Sequence, residues 1–203
     1  MRVFGLIGYS KSGKTTTIEN LIRELISRGY SVGVIKDVKH GDFTMDVEGK
    51  NTYRHKAAGA LPVTARGDNE TDVLYPRRLR VEEILAYYDN DFVILEGVRE
   101  FDVPQILAGV DEKQLTERIT DNVFAISGVI SNTETEWRGL PIISALTDAA
   151  RLIDLVEKHV PEFSPTYLPK VMSGGHEIKL SYGTLCELRE IFGDDKIDLK
   201  YIP

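Results

Sequence analysis

The residues best suited to chemistry lie near the start of the chain, in the run GYSKSGKT at positions 8–15. This run satisfies the Walker A pattern through Gly8, Gly13, Lys14 and Thr15. Glycines let backbone N–H groups curl closely around phosphate oxygens, and a lysine ammonium adds a point charge at the outer phosphates. The run therefore predicts a site for the phosphates of a purine nucleoside triphosphate.

The other residues of this loop have narrower predicted tasks. Thr15 is expected to offer its hydroxyl to a magnesium ion, and Thr16 to donate to the inner phosphate. Ser10 and Ser12 belong to the predicted phosphate-binding loop by their position. Lys11 has two interpretations: its charge adds to the nucleotide site, or it points into solvent, and we favour solvent.

A magnesium ion bound at this loop needs a carboxylate, which the end of a neighbouring apolar strand would supply. Glu96 follows the apolar residues of FVILEG at 92–97. We predict that Glu96 holds a metal-bound water or orients the attacking one, which makes Lys14 and Glu96 the candidate catalytic residues. The alternative is a strand-end glutamate that faces solvent.

A second group of charged residues follows the next apolar run. If this loop folds over the nucleotide, Asp46 would meet the magnesium ion, and His40 or Lys50 would meet the leaving charge or a second substrate. The alternative is a charged surface loop with no direct role. The group comprises Lys36, Lys39, His40, Asp42, Asp46, Lys50 and Arg54.

Positioning these residues requires a strand, a tight loop and a helix in that order. The apolar run at 3–7 predicts the strand, and helical spacing of apolar residues from about Lys14 to Arg28 predicts the helix. An apolar strand at 32–35 completes a parallel β-α-β unit. Further strands are predicted at 92–97, 123–130 and 141–144, with helices at 81–88 and 148–159. We therefore predict an α/β fold of the P-loop NTPase type, with a doubly wound, mainly parallel sheet flanked by helices.

Prolines and glycines become more frequent after Pro161, and this change predicts a domain boundary. We predict a P-loop nucleotide-binding domain over residues 1–160 and a small C-terminal appendage over 161–203. The appendage carries one predicted strand, Glu177 to Leu180, and one predicted helix, Thr184 to Phe192.

The composition of the 203 residues excludes several functional classes. A net charge of -7 argues against a general nucleic-acid or anionic-membrane surface, and no apolar run is long enough to predict a membrane span. The single cysteine, Cys186, cannot form an internal disulfide, which suits a reducing cytoplasm. His55, His159 and His176 lie too far apart in sequence to predict a zinc site.

Three segments resemble the molybdopterin-guanine dinucleotide biosynthesis protein B (MobB) family, the GTP-binding accessory proteins of molybdenum cofactor synthesis. They are VGVIKDVKHGDF from Val32, MDVEGKNTYRHKAAGA from Met45 and DFVILEG from Asp91. With the P-loop, the resemblance extends from about Arg2 to Asn132. It is carried by the combination of these segments, because many families share the P-loop alone.

The resemblance implies a protein that binds GTP, hydrolyses it weakly and forms a homodimer; the Mg²⁺ ion and the cytoplasmic location are predicted from the residues and the composition. It also implies a partner, the molybdenum cofactor guanylyltransferase that attaches GMP to molybdopterin. Gly8 to Thr16 would form the phosphate site, and Glu96 matches the acid of the family's Glu-Gly pair. His40, Asp46, Gly49, Lys50 and Arg54 match the family's functional loop.

Two departures from the family pattern leave alternatives open. The usual Gly-Lys-Asp-Ser stretch is Gly49, Lys50, Asn51 and Thr52 here, which removes a carboxylate, and no Asn-Lys-x-Asp guanine motif is present. One alternative is a small-molecule kinase, which needs a lid with arginines such as those at 77, 78 and 80. The other is a metal-delivery GTPase, which needs clustered cysteine or histidine ligands.

Overall fold

The computed structural model describes residues 1–39, 43–163, 170–173 and 176–179. Its strands are β1 (Arg2–Gly8), β2 (Val32–Lys36), β3 (Val63–Arg66), β4 (Thr71–Leu74), β5 (Phe92–Glu96), β6 (Gln105–Ala108), β7 (Val123–Ser127), β8 (Glu136–Trp137), β9 (Leu140–Pro141), β10 (Lys170–Ser173) and β11 (His176–Lys179). Its α-helices are α1 (Lys14–Ser27), α2 (Asn51–Ala57), α3 (Val81–Leu85), α4 (Glu112–Arg118) and α5 (Ala149–His159), with a 3₁₀ helix at Val129–Asn132.

Five strands form one sheet in the order β2-β5-β1-β6-β7, and every neighbouring pair is parallel. The carboxyl ends of parallel strands meet at one edge of a sheet, which is where open α/β sheets bind ligands. Lys36, Glu96, Gly8, Ala108 and Ser127 end the five strands in sheet order. The predicted phosphate-binding loop at 8–15, hereafter the phosphate loop, therefore lies at the centre of this edge.

Helices cover both faces of the sheet, so its strands are apolar on both sides. On one face, Leu21 and Leu25 of α1 and Ile153 of α5 pack in one buried cluster with Phe4 of β1 and Ile94 of β5. On the other face, α3 and α4 cover the sheet, each with its own buried cluster. The α/β fold with a parallel, doubly wound sheet is confirmed.

Two elements between β5 and β7 were not expected from the sequence. Strand β6 has only four residues, QILA, too few to show the period of a strand clearly. Helix α4 has only seven residues; it begins after Asp111, whose carboxylate accepts a hydrogen bond of 2.8 Å from the Gln114 backbone. Each gains its stability from tertiary packing: β6 is fully buried, and Leu115 anchors α4.

The predicted strand at 141–144 is wrong in its extent. Strand β9 ends at Pro141 and pairs antiparallel with β8, and Ile142 forms only an isolated bridge to Ile126. The predicted strand at 123–130 ends at Ser127, because Gly128 adopts φ 90° and ψ −157° before the 3₁₀ helix. This turn brings the chain back toward the phosphate loop.

The described part of the C-terminal appendage is a two-stranded antiparallel hairpin of β10 and β11. Strand β11 overlaps the strand that the sequence predicts there, and the predicted helix from Thr184 to Phe192 lies outside the described residues. Before the hairpin, Phe163 donates its N–H to the Met1 carbonyl at 2.7 Å. The chain from α5 to residue 163 therefore lies against the start of β1, and the division at 160/161 stays a prediction.

Candidate functional site: a phosphate loop and its surroundings

The loop between β1 and α1 has a backbone that glycine allows. Gly8 has φ +145° and Gly13 has φ +93°, a range that side-chain-bearing residues rarely adopt. A Cβ atom on Gly8 would also lie 2.2 Å from the Ala108 carbonyl oxygen of the adjacent strand. These two glycines of the Walker A pattern therefore let the chain turn tightly between the centre of the sheet and α1.

The first turn of α1 leaves backbone donors open to an anion. N–H groups in the first turn of a helix have no acceptor within the helix, and the helix dipole makes this end positive. Gly13 at the N-cap makes no side-chain cap, and the first turn holds no acidic residue that would compete with a bound anion. Thr15 and Thr16 are exposed, so both hydroxyls are accessible to a ligand. The donors and hydroxyls suit a phosphate and its metal ion.

Ser12 lies beneath the loop, where it is fully buried. Its hydroxyl oxygen has no hydrogen-bond partner among the described residues, and its carbonyl accepts the Val129 N–H at 3.2 Å. A buried hydroxyl without a partner costs free energy, which a ligand oxygen can recover. Ser10 and Lys11 are exposed on the outer part of the loop, and Lys11 adopts φ 62°.

Lys14 is the first residue of α1, and its side chain folds across the loop. Its ammonium donates a hydrogen bond to the Tyr9 carbonyl oxygen. Burial lowers the pKa of Lys14 below its usual 10.5; the Glu96 carboxylate opposes this shift, and the positive charges of Lys36, Arg99 and Arg118 add to it. Three cations and one carboxylate therefore act on this ammonium, and a bound anion would add the negative charge that offsets the three cations.

Glu96 stands at the carboxyl edge of the sheet between β1 and β2, in register with Leu6 and Lys36. Its side chain is only 12% exposed, and it accepts an ion pair from the Lys36 ammonium at 3.3 Å. The strand-end glutamate thus points into the sheet edge that holds the phosphate loop. Lys36 is the member of the second charged group that the structure places beside it.

Most other residues of the second charged group, defined above from Lys36 to Arg54, lie on α2 or in the segment before it. Asp46 accepts a hydrogen bond from the Thr52 hydroxyl at 2.7 Å and an ion pair from the Lys56 ammonium at 2.7 Å. Lys50 and Arg54 are exposed. The roles predicted for these residues stay predictions; His40 and Asp42 lie outside the described residues.

Asp37 is an acid at this edge that the sequence reasoning did not single out. It directly follows β2, and its backbone N–H donates to the Glu96 carbonyl at 2.9 Å. Its carboxylate is 9% exposed and pairs with Arg78 at 3.0 Å. Its position one residue after the strand-ending Lys36 is the signal that could have identified it.

A cavity of about 120 Å³ adjoins the start of α1 on the β7 side. Two exposed apolar side chains, Val129 and Leu146, line it together with small residues and hydroxyls. One signal for this cavity is visible in the sequence: a glycine directly follows the apolar strand at 123–127. Its other lining residues are Gly13, Thr16, Thr17, Gly128, Ser131, Asn132, Ser144 and Ala145.

Comparison with known proteins identifies the family. The family model described as Molybdopterin guanine dinucleotide synthesis protein B, MobB, matches residues 3–131. The chain belongs to the MobB family. The matched range contains the phosphate loop, Glu96, Asp37 and Arg118, and it ends inside the 3₁₀ helix after β7.

Relatives in sequence and structure agree with this assignment. The molybdopterin-guanine dinucleotide biosynthesis adapter protein of Haemophilus influenzae is 36% identical over 132 residues, which cover 62% of this chain and 73% of the relative. The probable adapter protein of the same name from Bacillus subtilis is 28% identical over 144 residues, or 69% of this chain and 83% of the relative. The crystal structure of Bacillus subtilis MobB aligns with TM-score 0.65 and 26% identity, covering 80% of this chain and 100% of that one.

The part of this MobB-family chain that the structure describes has no helix long and apolar enough to cross a membrane. The same residues contain no group of three or more histidine, cysteine, aspartate or glutamate side chains arranged to hold a metal ion by themselves. A magnesium site here would need the oxygens of a bound nucleotide as further ligands, which is how Mg²⁺ is commonly held.

Proposed function

We propose that this chain is a GTP-binding adapter protein of molybdopterin guanine dinucleotide biosynthesis, with weak Mg²⁺-dependent GTPase activity. One observation carries the proposal: the phosphate loop at the centre of the sheet edge combines open helix N–H groups, the Lys14 ammonium and a buried Ser12 hydroxyl that has no partner among the described residues. These groups provide a loop, a dipole and a charge for the same anion.

In this proposal the Lys14 ammonium leaves the Tyr9 carbonyl and binds the outer phosphates, while the first-turn N–H groups hold the inner ones. Ser12 fits this phosphate site because its buried hydroxyl has no partner in the part of the chain that the structure describes. Thr15 and Glu96 would hold the magnesium ion, directly or through water, and the bound ion would neutralise charge on the outer phosphates. Asp46 would join them only by leaving its ion pair with Lys56.

The cavity beside α1 supports a purine as the base. Val129 and Leu146 offer exposed apolar surface to a flat ring, and the hydroxyls and the Asn132 amide offer polar contacts at its edge. Guanine is preferred over adenine because the names of the family and its relatives specify a guanine dinucleotide. The base preference is thus a proposal that rests on family membership.

Weak hydrolysis is expected from the contact that Glu96 already makes. The Lys36 ammonium lies 3.3 Å from its carboxylate, so an attacking water would compete with Lys36 for the same oxygens and turnover would be slow. The relatives are named adapter proteins. We therefore propose that the bound GTP serves a partner, the molybdenum cofactor guanylyltransferase that attaches GMP to molybdopterin, and that the chain acts in the cytoplasm as a homodimer.

The two alternatives find less support in the structure. Arginines of a kinase lid must be able to close over the transferring phosphate. Arg77 pairs with Glu83 at 2.9 Å, and Arg78 pairs with both Asp37 and Glu100. For a metal-delivery GTPase, the described residues lack a ligand cluster.

Isothermal titration calorimetry with Mg²⁺ and GTP tests the proposal. We expect saturable binding by the native chain, with a higher affinity for GTP than for ATP. Lys14→Ala should lower the affinity for GTP by about 100-fold or more, because it removes a charge-assisted contact with the phosphates. Lys158→Ala, an exposed lysine in the last turn of α5, is the matched control and is expected to bind as the native chain does. Absence of saturation at millimolar GTP and ATP would refute the nucleotide site.

A further inference from the structure

The last residue of α4, Arg118, meets the phosphate loop through Tyr9. The guanidinium carbon of Arg118 lies 4.0 Å from the centre of the Tyr9 ring, which is a close cation–π contact. The Tyr9 hydroxyl donates to the Glu117 carboxylate at 2.8 Å, which fixes the ring against the same helix end. Tyr9 is the second residue of the phosphate loop, so Arg118 is held directly beside it.

The donors of Arg118 are unused in the described part of the chain. Its Nε is buried without a hydrogen-bond partner, and no side chain there forms an ion pair with its guanidinium. Arg28 shows the contrast, since it pairs with Glu24, Asp154 and Glu157. Five N–H donors on a planar fork match the oxygens of a phosphate, and a buried N–H without an acceptor is costly. The stacking on Tyr9 therefore presents a charged fork whose buried Nε has no acceptor among the described residues.

Tyr9 also links Arg118 to Lys14. The carbonyl of Tyr9 accepts the Lys14 ammonium, and its ring carries the Arg118 guanidinium. The two cations thus border one residue of the loop from its backbone side and its ring side. The lowering of the Lys14 pKa by the Arg118 charge agrees with this proximity.

We propose that Arg118 binds a phosphate oxyanion at the outer end of the phosphate loop, next to Lys14. This proposal uses the proposed nucleotide site only for its location. Two molecules could supply this oxyanion, and the chemical group is the same in both: the terminal phosphate of the bound triphosphate, or a phosphomonoester on a second molecule. Arg118 would add a fork of two hydrogen bonds to the point charge of Lys14, which selects for a fully ionised phosphate.

Arg118→Gln is the test variant, and Arg138→Gln is its matched control. The Arg138 guanidinium lies 4.3 Å from the centre of the Trp137 ring, so it makes the same type of contact in the β8–β9 turn. Both substitutions remove one positive charge from a stacked arginine. The two arginines differ in their position relative to the phosphate loop and in the buried Nε, which only Arg118 has.

Calorimetry of each protein uses three titrants: a non-hydrolysable GTP analogue, GDP, and inorganic phosphate added to the GDP-loaded protein. If the source is the terminal phosphate, Arg118→Gln lowers the affinity for the GTP analogue by about 10- to 100-fold and changes the affinity for GDP by less than about twofold. If the source is a second molecule, both nucleotides are unchanged and inorganic phosphate binding, present in the native protein, is lost. In either case Arg138→Gln behaves as the native protein.

The proposal is overturned if all three affinities of Arg118→Gln equal those of the native protein. Failure of the proposed function is a separate result: the native protein would then bind neither nucleotide, and inorganic phosphate titrated into the nucleotide-free native and Arg118→Gln proteins would still test Arg118. Arg118→Lys, which keeps the charge without the fork, is expected to recover only part of the lost affinity. Thermal unfolding of each variant checks folding, and if Arg118→Gln does not fold, Arg118→Lys serves as the test variant.

Discussion

Two residues of the phosphate loop have contacts that a bound ligand would change. Lys14 donates to a backbone carbonyl of its own loop, and the Ser12 hydroxyl has no partner in the described structure. Both groups would gain stronger acceptors from a phosphate than they have now, because hydrogen bonds between ionised groups are about twice as strong as neutral ones. The local geometry therefore favours phosphate binding and leaves the loop suboptimal without it.

The lowered pKa of Lys14 gives a prediction for the pH dependence of binding. Burial and neighbouring cations lower this pKa in the free protein, and a bound triphosphate raises it by supplying negative charge. Between the two pKa values, binding takes up a proton, and the affinity falls as pH rises. Above about pH 8 the phosphates are already fully ionised, since their last pKa is about 6.

Calorimetry of GTP binding in two buffers of different ionisation enthalpy measures this uptake. We expect the observed enthalpy to depend increasingly on the buffer as the pH rises above about 8 toward the lowered pKa of Lys14. Lys14→Arg keeps its charge in this range and is expected to show no uptake in this range if it binds. Buffer-independent enthalpies in the native protein would show that Lys14 remains fully protonated without ligand.

At the scale of elements, the predictions were most accurate where local pattern and packing agree. The strand β1, the loop and helix α1 follow directly from the apolar run, the glycines and the helical spacing, and β5 follows from FVILE. The missed strand β6 is too short for its pattern to be read. Arg118 could not be found from sequence, because its contact with Tyr9 joins residues more than a hundred positions apart.

The sequence also could not distinguish the tasks of the acids in the second charged group. Asp46 looks like a metal ligand in sequence, yet its carboxylate holds α2 through Thr52 and Lys56. Asp37 lies at the sheet edge beside Glu96 instead. Which acid reaches the sheet edge depends on where the strand ends and the chain turns. A charged loop has no hydrophobic periodicity from which these positions could be predicted.

Asp46→Asn tests the role of this carboxylate in holding α2. The Lys56 and Thr52 contacts lower the pKa of Asp46, so its contribution to stability is present above the ordinary carboxyl pKa and is lost as pH falls through the lowered one. We expect Asp46→Asn to lower the hydrogen-exchange protection of α2, relative to the intrinsic exchange rate, at neutral pH. The native protein should show the same loss of protection only on acidification. Asp68→Asn, an exposed acid in the β3–β4 turn, is the control.

The same variant tests the predicted metal role of Asp46. The magnesium concentration needed for half-maximal GTP binding is measured for both proteins. An increase in Asp46→Asn, with no increase in Asp68→Asn, would assign the carboxylate to the ion as well as to α2. An unchanged value would restrict Asp46 to the structural contact, with Thr15 and Glu96 left as the candidate protein ligands.

At the scale of the whole molecule, the phosphate loop joins the central strands to one another. The Gly8 backbone lies against Ala108 of β6, and Ser12 accepts the N–H of Val129 after β7. A Cβ atom on Gly128 would lie 2.2 Å from the Ser12 carbonyl oxygen, so this junction is closely packed. A ligand that orders the loop should therefore stabilise the sheet that surrounds it.

Thermal unfolding measures this coupling in the intact chain. Binding to the folded state alone stabilises it by about 2.7 kcal/mol at a ligand concentration of 100 times Kd. For a chain of this size each kcal/mol raises Tm by about 2–4 °C, so Mg²⁺ with GTP is expected to raise Tm by roughly 5–11 °C. Lys14→Ala should show almost no rise, whereas Lys158→Ala should show the native one. An equal rise in native protein and Lys14→Ala would place the stabilising nucleotide outside the phosphate loop, because this substitution removes the ammonium that the proposal assigns to the outer phosphates.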